Sequence, residues 1–257
     1  MGEAAASPFW QVVKTRQLDT VLLLLCLGLG WELVYVLVGA DVAPSPMTTL
    51  ERAGGLLQTA NFWKDAASTG RAFGLACAIG ITSGILIGLL LGFSRLASEV
   101  ADPMLGTIYS IPKITLYPII LLMFGLSLSA KVAFGVIHGV FPVIIATMSA
   151  LRNVAPIHRR TAQVLGLTPA ATIATILVPA ALPEIFSGIR IGVAVTLLGT
   201  LLAEMFASAS GLGFALIRAM ELHTIVDIFA LALLIFTAAA ILNGSLLALE
   251  RRLRGHG

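Results

Sequence analysis

Long stretches with almost no charge are the feature that most limits what this chain can fold into. Six such apolar runs occupy residues 20–40, 72–93, 104–126, 132–151, 185–206 and 228–249. The hydrocarbon core of a bilayer is about 30 Å thick, and a helix needs about 20 apolar residues to cross it. Membrane barrel strands are shorter and alternate in polarity, so the runs predict an all-α integral membrane protein with six transmembrane helices.

Composition supports the same class. Hydrophobic residues make up 58% of the 257 residues, and charged residues make up only 11%. The mean hydropathy of +0.99 lies far above that of soluble globular proteins. Six helices account for most of the chain, so we expect residues 1–257 to form a single transmembrane domain. The isoelectric point near 9.1 then reports orientation in the membrane and gives no support for nucleic-acid binding.

Basic residues are distributed unequally between the two faces that six spans define. Nine fall on the face that carries both termini: Lys14, Arg16, Arg95, Arg152, Arg159, Arg160, Arg251, Arg252 and Arg254. Five fall on the opposite face: Arg52, Lys64, Arg71, Lys131 and Arg218. Because cytoplasmic loops carry an excess of lysine and arginine, we expect both termini in the cytoplasm.

The second apolar run has small residues at every fourth position, namely Gly80, Gly84, Gly88 and Gly92. That spacing places them on one face of a helix, where two backbones can approach closely in lipid. We therefore expect this helix to lie centrally in the bundle, with the glycines serving packing rather than transport.

The cytoplasmic segment of residues 152–183 is too long for a simple connection between the fourth and fifth spans. Pro156 can begin one short helix, and Gly166 supplies the left-handed residue that ends it. This pattern predicts a helical hairpin.

The second arm of the hairpin should begin at Thr168 and Pro169, which suit the N-cap and the first helical position, and should end at Pro179. Residues 170–178 are apolar or small nearly all round, and such a helix is costly to leave in water. Either a soluble partner or the protein's own spans could cover it.

The hairpin carries a recognisable motif, a glycine followed after nine residues by Ile-x-Leu-Pro. It is matched by Gly166, Ile176, Val178 and Pro179, with valine in place of leucine. The stretches "YSIPKITLYPIILLMFGLS", "ILVPAALPEIFSGIRI", "AEMFASASGLG" and "LERRLR" accompany it in order. Together, from about residue 44 to residue 254, the chain resembles the permeases of binding-protein-dependent ABC importers, in the nitrate, sulfonate, taurine and bicarbonate branch.

The resemblance implies that the hairpin is a coupling element that rests in a groove of a cytoplasmic ATPase subunit. The coupling residues it implies are Arg160, Thr161, Ala162, Gly166, Thr168, Pro169, Ile173, Ile176, Val178 and Pro179. One departure stands out, because Arg160-Thr161-Ala162 occupies the place of the family's usual Glu-Ala-Ala. Loss of that acid affects any salt bridge to the partner but leaves the apolar docking intact.

The resemblance also implies the partners. These are a separate ABC ATPase, an extracytoplasmic substrate-binding protein and a second copy of the permease. The chain has no glycine-rich loop ending in Gly-Lys, so we expect no phosphate cradle, no enzymatic activity and no bound cofactor. ATP and Mg²⁺ are expected in the partner ATPase.

Ionisable residues inside a bilayer are functional candidates, here Glu32, Lys113, Arg190 and Glu204, with His138 as a neutral candidate. Lys113 lies between two prolines that break regular helix, so it could line the path or simply extend its ammonium to the headgroups. Arg190 suits an anchor or a partner for an acidic group near the hairpin. We expect neither catalytic nor metal-binding residues.

Glu204 precedes a glycine-rich outer loop that includes Gly211 and Gly213. The family resemblance implies that this region forms an outer gate facing the binding protein. A purely structural hydrogen-bonding role for Glu204 is the alternative.

Two other classes of protein remain to be weighed. A secondary transporter of a small polar solute would also use broken helices and buried charges, but it would not need an apolar cytoplasmic hairpin. An intramembrane enzyme is weakly supported, because the histidines are scattered without a catalytic spacing. The sequence leaves the solute open among nitrate, a sulfonate, bicarbonate and a vitamin precursor.

Overall fold

The computed structural model describes residues 8–206 and 208–254, and every regular element among them is helical. The α-helices are α1 (Pro8–Val38), α2 (Pro46–Leu57), α3 (Ala60–Gly92), α4 (Arg95–Ser110), α5 (Tyr117–Phe124), α6 (Leu128–Arg152), α7 (Pro156–Val164), α8 (Pro169–Thr172), α9 (Val178–Phe206), α10 (Leu212–Glu221) and α11 (Ile225–Arg254). A 3-10 turn (Lys113–Leu116) joins α4 to α5, and a π turn (Ile173–Leu177) joins α8 to α9. The predicted all-α membrane fold is confirmed.

Five of the six predicted spans are continuous helices, within α1, α3, α6, α9 and α11. The third, residues 104–126, is a bent span, because α4 and the segment Lys113–Phe124 meet at an angle of 78°, and the expected break of regular helix at the prolines is confirmed. Ile111 has an extended backbone (φ −63°, ψ 131°). A residue that precedes a proline is disfavoured in the helical region, and Pro112 therefore explains the break.

The core of the bundle forms where α6 packs along both α3 and α9. The glycine stripe of α3 is buried and faces α6. A Cβ atom on Gly88 would lie 2.6 Å from Cβ of Thr147 and 2.9 Å from the carbonyl oxygen of Ile144. The predicted central position of this helix is confirmed, and the close approach of the two backbones depends on the missing side chains.

Helix α1 contrasts with this core. None of its residues within Val21–Val38 is buried by the rest of the chain. Its described polar contact is the indole nitrogen of Trp31, which donates to the carbonyl oxygen of Pro44 at 3.1 Å. The apolar surface of α1 is therefore left for lipid or for another chain.

The expected end of the second hairpin arm at Pro179 is wrong. Helix α8, the π turn and α9 follow one another without interruption, and Pro179 lies in the first turn of α9. Immediately before the proline, the N–H of Val178 donates to the carbonyl of Ile173, five residues back. The wider turn offers room for a ring that would clash with the carbonyl four residues earlier in a regular helix, so the arm continues into the membrane.

Gly88→Ala should destabilise the bundle, because the added methyl group must displace backbone of α6 or force α3 away from it. Overpacking of this kind costs about 1–3 kcal/mol. The measurement is thermal unfolding of the purified protein in detergent. Gly74→Ala in the same helix is the matched control, since a Cβ there meets no atom within 4 Å. Equal stability of the two variants would contradict the packing account.

Candidate functional site

The turn of the predicted hairpin, between α7 and α8, has the geometry expected from its sequence. Gly166 has a φ of +62°. Its N–H donates to the carbonyl of Gln163 at 3.1 Å, and the N–H of Leu167 donates to the carbonyl of Ala162 at 3.0 Å. The hydroxyl of Thr168 accepts a hydrogen bond from the N–H of Ala171 at 3.3 Å. These bonds satisfy the free groups at the end of α7 and the start of α8, so the turn is well defined.

The predicted coupling residues are spread over several surfaces. Arg160, Thr161, Gly166, Thr168 and Pro179 are exposed, whereas Ile173, Ile176 and Val178 are half-buried and Ala162 is buried. Pro169 begins α8. Ile173 and Val178 pack on a buried cluster that includes Leu151, Leu177 and Ala181. The protein's own spans therefore cover one side of the second arm.

The most exposed apolar surface of the hairpin lies on and just after α7, and none of its residues is among the predicted coupling residues. It consists of Ile157, Val164 and Leu165, with relative exposures of 61%, 87% and 64%. We call these three residues the hairpin tip. The signal that could have found it is the apolar pair at the end of an otherwise polar helix.

At the other end of α9, Glu204 is completely buried and is held from three sides. Its carboxylate accepts hydrogen bonds from the hydroxyl of Thr69 at 2.7 Å and from the N–H of Gly213 at 3.1 Å. Nζ of Lys131 lies 3.3 Å from the same carboxylate. Glu204 thus joins α3, α6, α9 and the start of α10, and we call this group the outer cluster.

Lys131 is the residue of the outer cluster that sequence reasoning missed. The sequence places Lys131 among the basic residues of the outer face, but its side chain is only 8% exposed. Besides the ion pair, its ammonium donates to the carbonyl of Ser210 at 2.6 Å and to the hydroxyl of Ser68 at 3.3 Å. From the sequence, a lysine at the start of a span looks the same as an exposed loop lysine. Its buried partner, Glu204, is 73 residues away and gives no local signal.

The loop before α10 is folded tightly over Glu204. Gly211 has a φ of +118°, and a Cβ atom there would lie 2.1 Å from the carboxyl carbon of Glu204. The N–H of Gly211 donates to Asp65 at 2.8 Å. The structure therefore brings Glu204, Gly211 and Gly213 together. Ala207, in the same stretch, lies outside the described residues.

Lys113 lies apart from both regions, at the break between α4 and α5. Its ammonium donates to the carbonyl of Tyr109 at 2.9 Å and lies 4.2 Å from the centre of that ring. The ring of Phe141 is 5.8 Å away. Phe141 lies near the middle of α6.

The other ionisable candidates have simpler surroundings. Arg190 pairs with Glu250 of α11 at 2.7 Å, and the hydroxyl of Ser187 lies 2.5 Å from the same carboxylate. A ring nitrogen of His138 lies 2.9 Å from the carbonyl oxygen of Phe134. Glu32 is exposed on α1. Among the described residues, no group of three or more His, Cys, Asp or Glu side chains is placed to hold a metal ion.

Comparison with known proteins identifies the architecture. The family described as the binding-protein-dependent transport system inner membrane component matches residues 80–255. The chain belongs to this family. As a permease subunit of an ABC importer, it is the transmembrane component, and this membership favours the importer over a secondary transporter.

Relatives of this permease have different solutes in their names. It is 28% identical to the taurine transport system permease protein TauC of Escherichia coli (strain K12), over 95% of this chain and 91% of the relative. It is 30% identical to the bicarbonate transport system permease protein CmpB of Synechococcus elongatus, over 93% and 91%. A crystal structure of an amino acid ABC transporter with histidines matches with a TM-score of 0.61 and 21% identity, covering 73% of this chain and 92% of that one.

Disruption of the outer cluster should be strongly destabilising. Lys131→Met or Glu204→Gln leaves one buried group without its charge partner, which costs about 3–5 kcal/mol in comparable sites. The double variant should lose much less than the sum of the two single losses, because the two groups interact directly. Chemical unfolding in detergent measures these changes.

Arg95→Met provides the control for this cycle. The pair between Arg95 and Glu99 has side-chain exposures of 89% and 54%, so its loss should leave stability almost unchanged. Additive losses at Lys131 and Glu204 would contradict the direct pairing.

Proposed function

We propose that this permease forms the path by which a small anionic or polar solute crosses the bacterial inner membrane. A separate cytoplasmic ABC ATPase, with its own ATP and Mg²⁺, supplies the energy, and an extracytoplasmic binding protein delivers the solute. Two copies of the permease enclose the path. The names of TauC and CmpB support a small polar solute and leave its identity open.

The observation that carries this proposal is the hairpin tip. Val164 exposes 87% of its surface, and Leu165 and Ile157 expose well over half, although each is a large apolar side chain. Large apolar side chains that stay exposed on a segment outside the spans are typical of protein interaction surfaces. In our proposal the hairpin tip is covered by a groove of the ATPase, and the exposed Arg160 and Thr161 lie at its edge.

Continuity of the backbone supports a coupling role for the hairpin. The second arm passes through the π turn into α9 without a break, and α9 ends beside Glu204. A displacement of the hairpin by the ATPase is therefore carried along one helix to the outer cluster. We propose that the outer cluster, with Glu204, Gly211 and Gly213, holds the outer gate closed until the binding protein docks.

Gly166→Val should uncouple the permease from its ATPase. A side chain with a Cβ in the left-handed conformation costs about 1–2 kcal/mol, so the turn should open and the hairpin tip should lose its position. The spans should still insert, because the hairpin lies outside them. Co-purification of the co-expressed cognate ATPase in detergent is the measurement, and we expect a clear loss of stoichiometry.

Two further comparisons show whether a loss of the ATPase comes from the hairpin. Gly166→Asn is the matched control, since asparagine tolerates the left-handed region and should retain the ATPase. Val164→Asp should also release the ATPase by placing a charge on the docking surface, whereas Leu222→Asp, at an equally apolar exposed site after α10, should not. Normal ATPase binding by both Gly166→Val and Val164→Asp would exclude the hairpin as the coupling element.

Orientation is tested by single cysteines in a background lacking Cys26 and Cys77. Arg160→Cys should react with a membrane-impermeant thiol reagent only after the cells are opened, and Asn61→Cys should react in intact cells. Both side chains are exposed, so differences in reactivity report the side of the membrane. The reverse pattern would overturn the assignment of both termini to the cytoplasm.

A further inference from the structure

The position of Lys113 across the membrane follows from the positions of its neighbours along α6. At the cytoplasmic end of α6, Arg152 pairs with Asp102 of α4 at 3.1 Å. Phe141, whose ring lies 5.8 Å from the ammonium of Lys113, belongs to the same helix. At 1.5 Å per residue, Phe141 is about 16 Å from Arg152, or about half the thickness of the hydrocarbon core. Lys113 is therefore a cation near the middle of the membrane.

The surface around Lys113 cannot be a lipid-facing one. Lys113 itself is only half-buried, and Ile111 and Pro112 beside it are exposed. At this point the chain bends by 78° and leaves regular helix. Charges and irregular backbone are tolerated at this depth only where protein covers them or water fills a cavity. Since the rest of this chain covers Lys113 only in part, its face belongs on the path enclosed by the assembled permeases.

Among the residues that the structure describes, the ammonium of Lys113 also differs from the other cations of the spans, because it does not pair with a carboxylate. Lys131 and Arg190 each pair with a buried carboxylate. Within the described part of the chain, Lys113 has no carboxylate within ion-pair distance, and its one hydrogen bond goes to the carbonyl of Tyr109. An ammonium has three donors, so two remain for a ligand. The rings of Tyr109 and Phe141 hold it in place by cation–π attraction.

Resting on the proposed function, we propose that Lys113 is the binding site for the anionic group of the transported solute, halfway along the path. The ligand class is a small molecule with a sulfonate or carboxylate group, or a small inorganic oxyanion. A single unpaired ammonium attracts such a group without the tight grip of a bidentate arginine, and this suits a site that must also release its ligand.

The competing explanation is that Lys113 only caps the end of α4. A glutamine at this position could still donate a hydrogen bond to the carbonyl of Tyr109, whereas it could not attract an anion. Lys113→Gln therefore separates the cap from the anion site, and Lys113→Arg preserves the charge. If Lys113 only caps α4 and its ammonium is shielded from the path, the rate at which a reagent in the path reacts does not depend on the charge of that reagent.

The test uses two thiol reagents of similar size as probes, the anionic 2-sulfonatoethyl and the cationic 2-(trimethylammonium)ethyl methanethiosulfonates. The target is Tyr109→Cys in the full chain, assembled with its ATPase in lipid nanodiscs and lacking Cys26 and Cys77. Tyr109 is 38% exposed and adjoins the ammonium. We expect the anionic reagent to react faster than the cationic one. The ratio of the anionic rate to the cationic rate should fall about tenfold in Lys113→Gln and stay unchanged in Lys113→Arg.

Leu86→Cys is the matched control for access. Leu86 is an apolar residue of α3 with 57% exposure, two positions from Gly84, which packs on Val143 of α6. It lies at a similar depth, and we expect it to react with neither reagent. Absence of reaction at Tyr109→Cys, or equal reaction at Leu86→Cys, would overturn the assignment of this face to the path.

An unchanged ratio of rates in Lys113→Gln would overturn the anion site and leave the cap. These results are distinguishable from failure of the proposed function, because retention of the ATPase is measured in the same preparations. Loss of the ATPase from the Tyr109→Cys protein that retains Lys113 would count against the importer assembly. Charge-dependent labelling in an intact assembly supports the site at Lys113 specifically.

Discussion

Hydrocarbon offers no hydrogen bond to a backbone N–H and no solvation to a charge, and this constraint organises the whole chain. Most of the backbone satisfies it by forming long helices. Where a charge must enter, the chain supplies a partner, as Glu204 does for Lys131 and Glu250 does for Arg190. Lys113 is the cation for which the described part of the chain supplies only a carbonyl and aromatic rings.

Helix α9 connects the two regions to which we assign function. Its outer end carries Glu204, and its inner end is continuous with the second arm of the hairpin. From Pro169 to Phe206 the combined helix is about 55 Å long at 1.5 Å per residue, enough to cross a bilayer and project beyond it. Helix α6 packs along α9 and against the glycine face of α3, so the combined helix is held by the core of the bundle.

Much of this could be predicted from local patterns. The left-handed Gly166 and the cap at Thr168 follow from turn chemistry, which depends on a few adjacent residues. The effect of proline was predicted only in part, because Pro112 breaks its span as expected, whereas Pro179 lies inside a continuous helix. The difference lies in the π turn before Pro179, a feature of backbone geometry that no residue type specifies.

The sequence by itself determined the membrane class, the number and approximate position of the spans and the hairpin between the fourth and fifth. These depend on hydropathy and on short-range signals, because the free energy of placing a residue in lipid depends mainly on that residue's own polarity. Only the tertiary structure decided that Lys131 is buried against Glu204, that Lys113 lies beside Phe141 of α6 and that Val164 is exposed. Each of these depends on which distant helices pack together, and a pair separated by 73 residues has no signature in either local stretch.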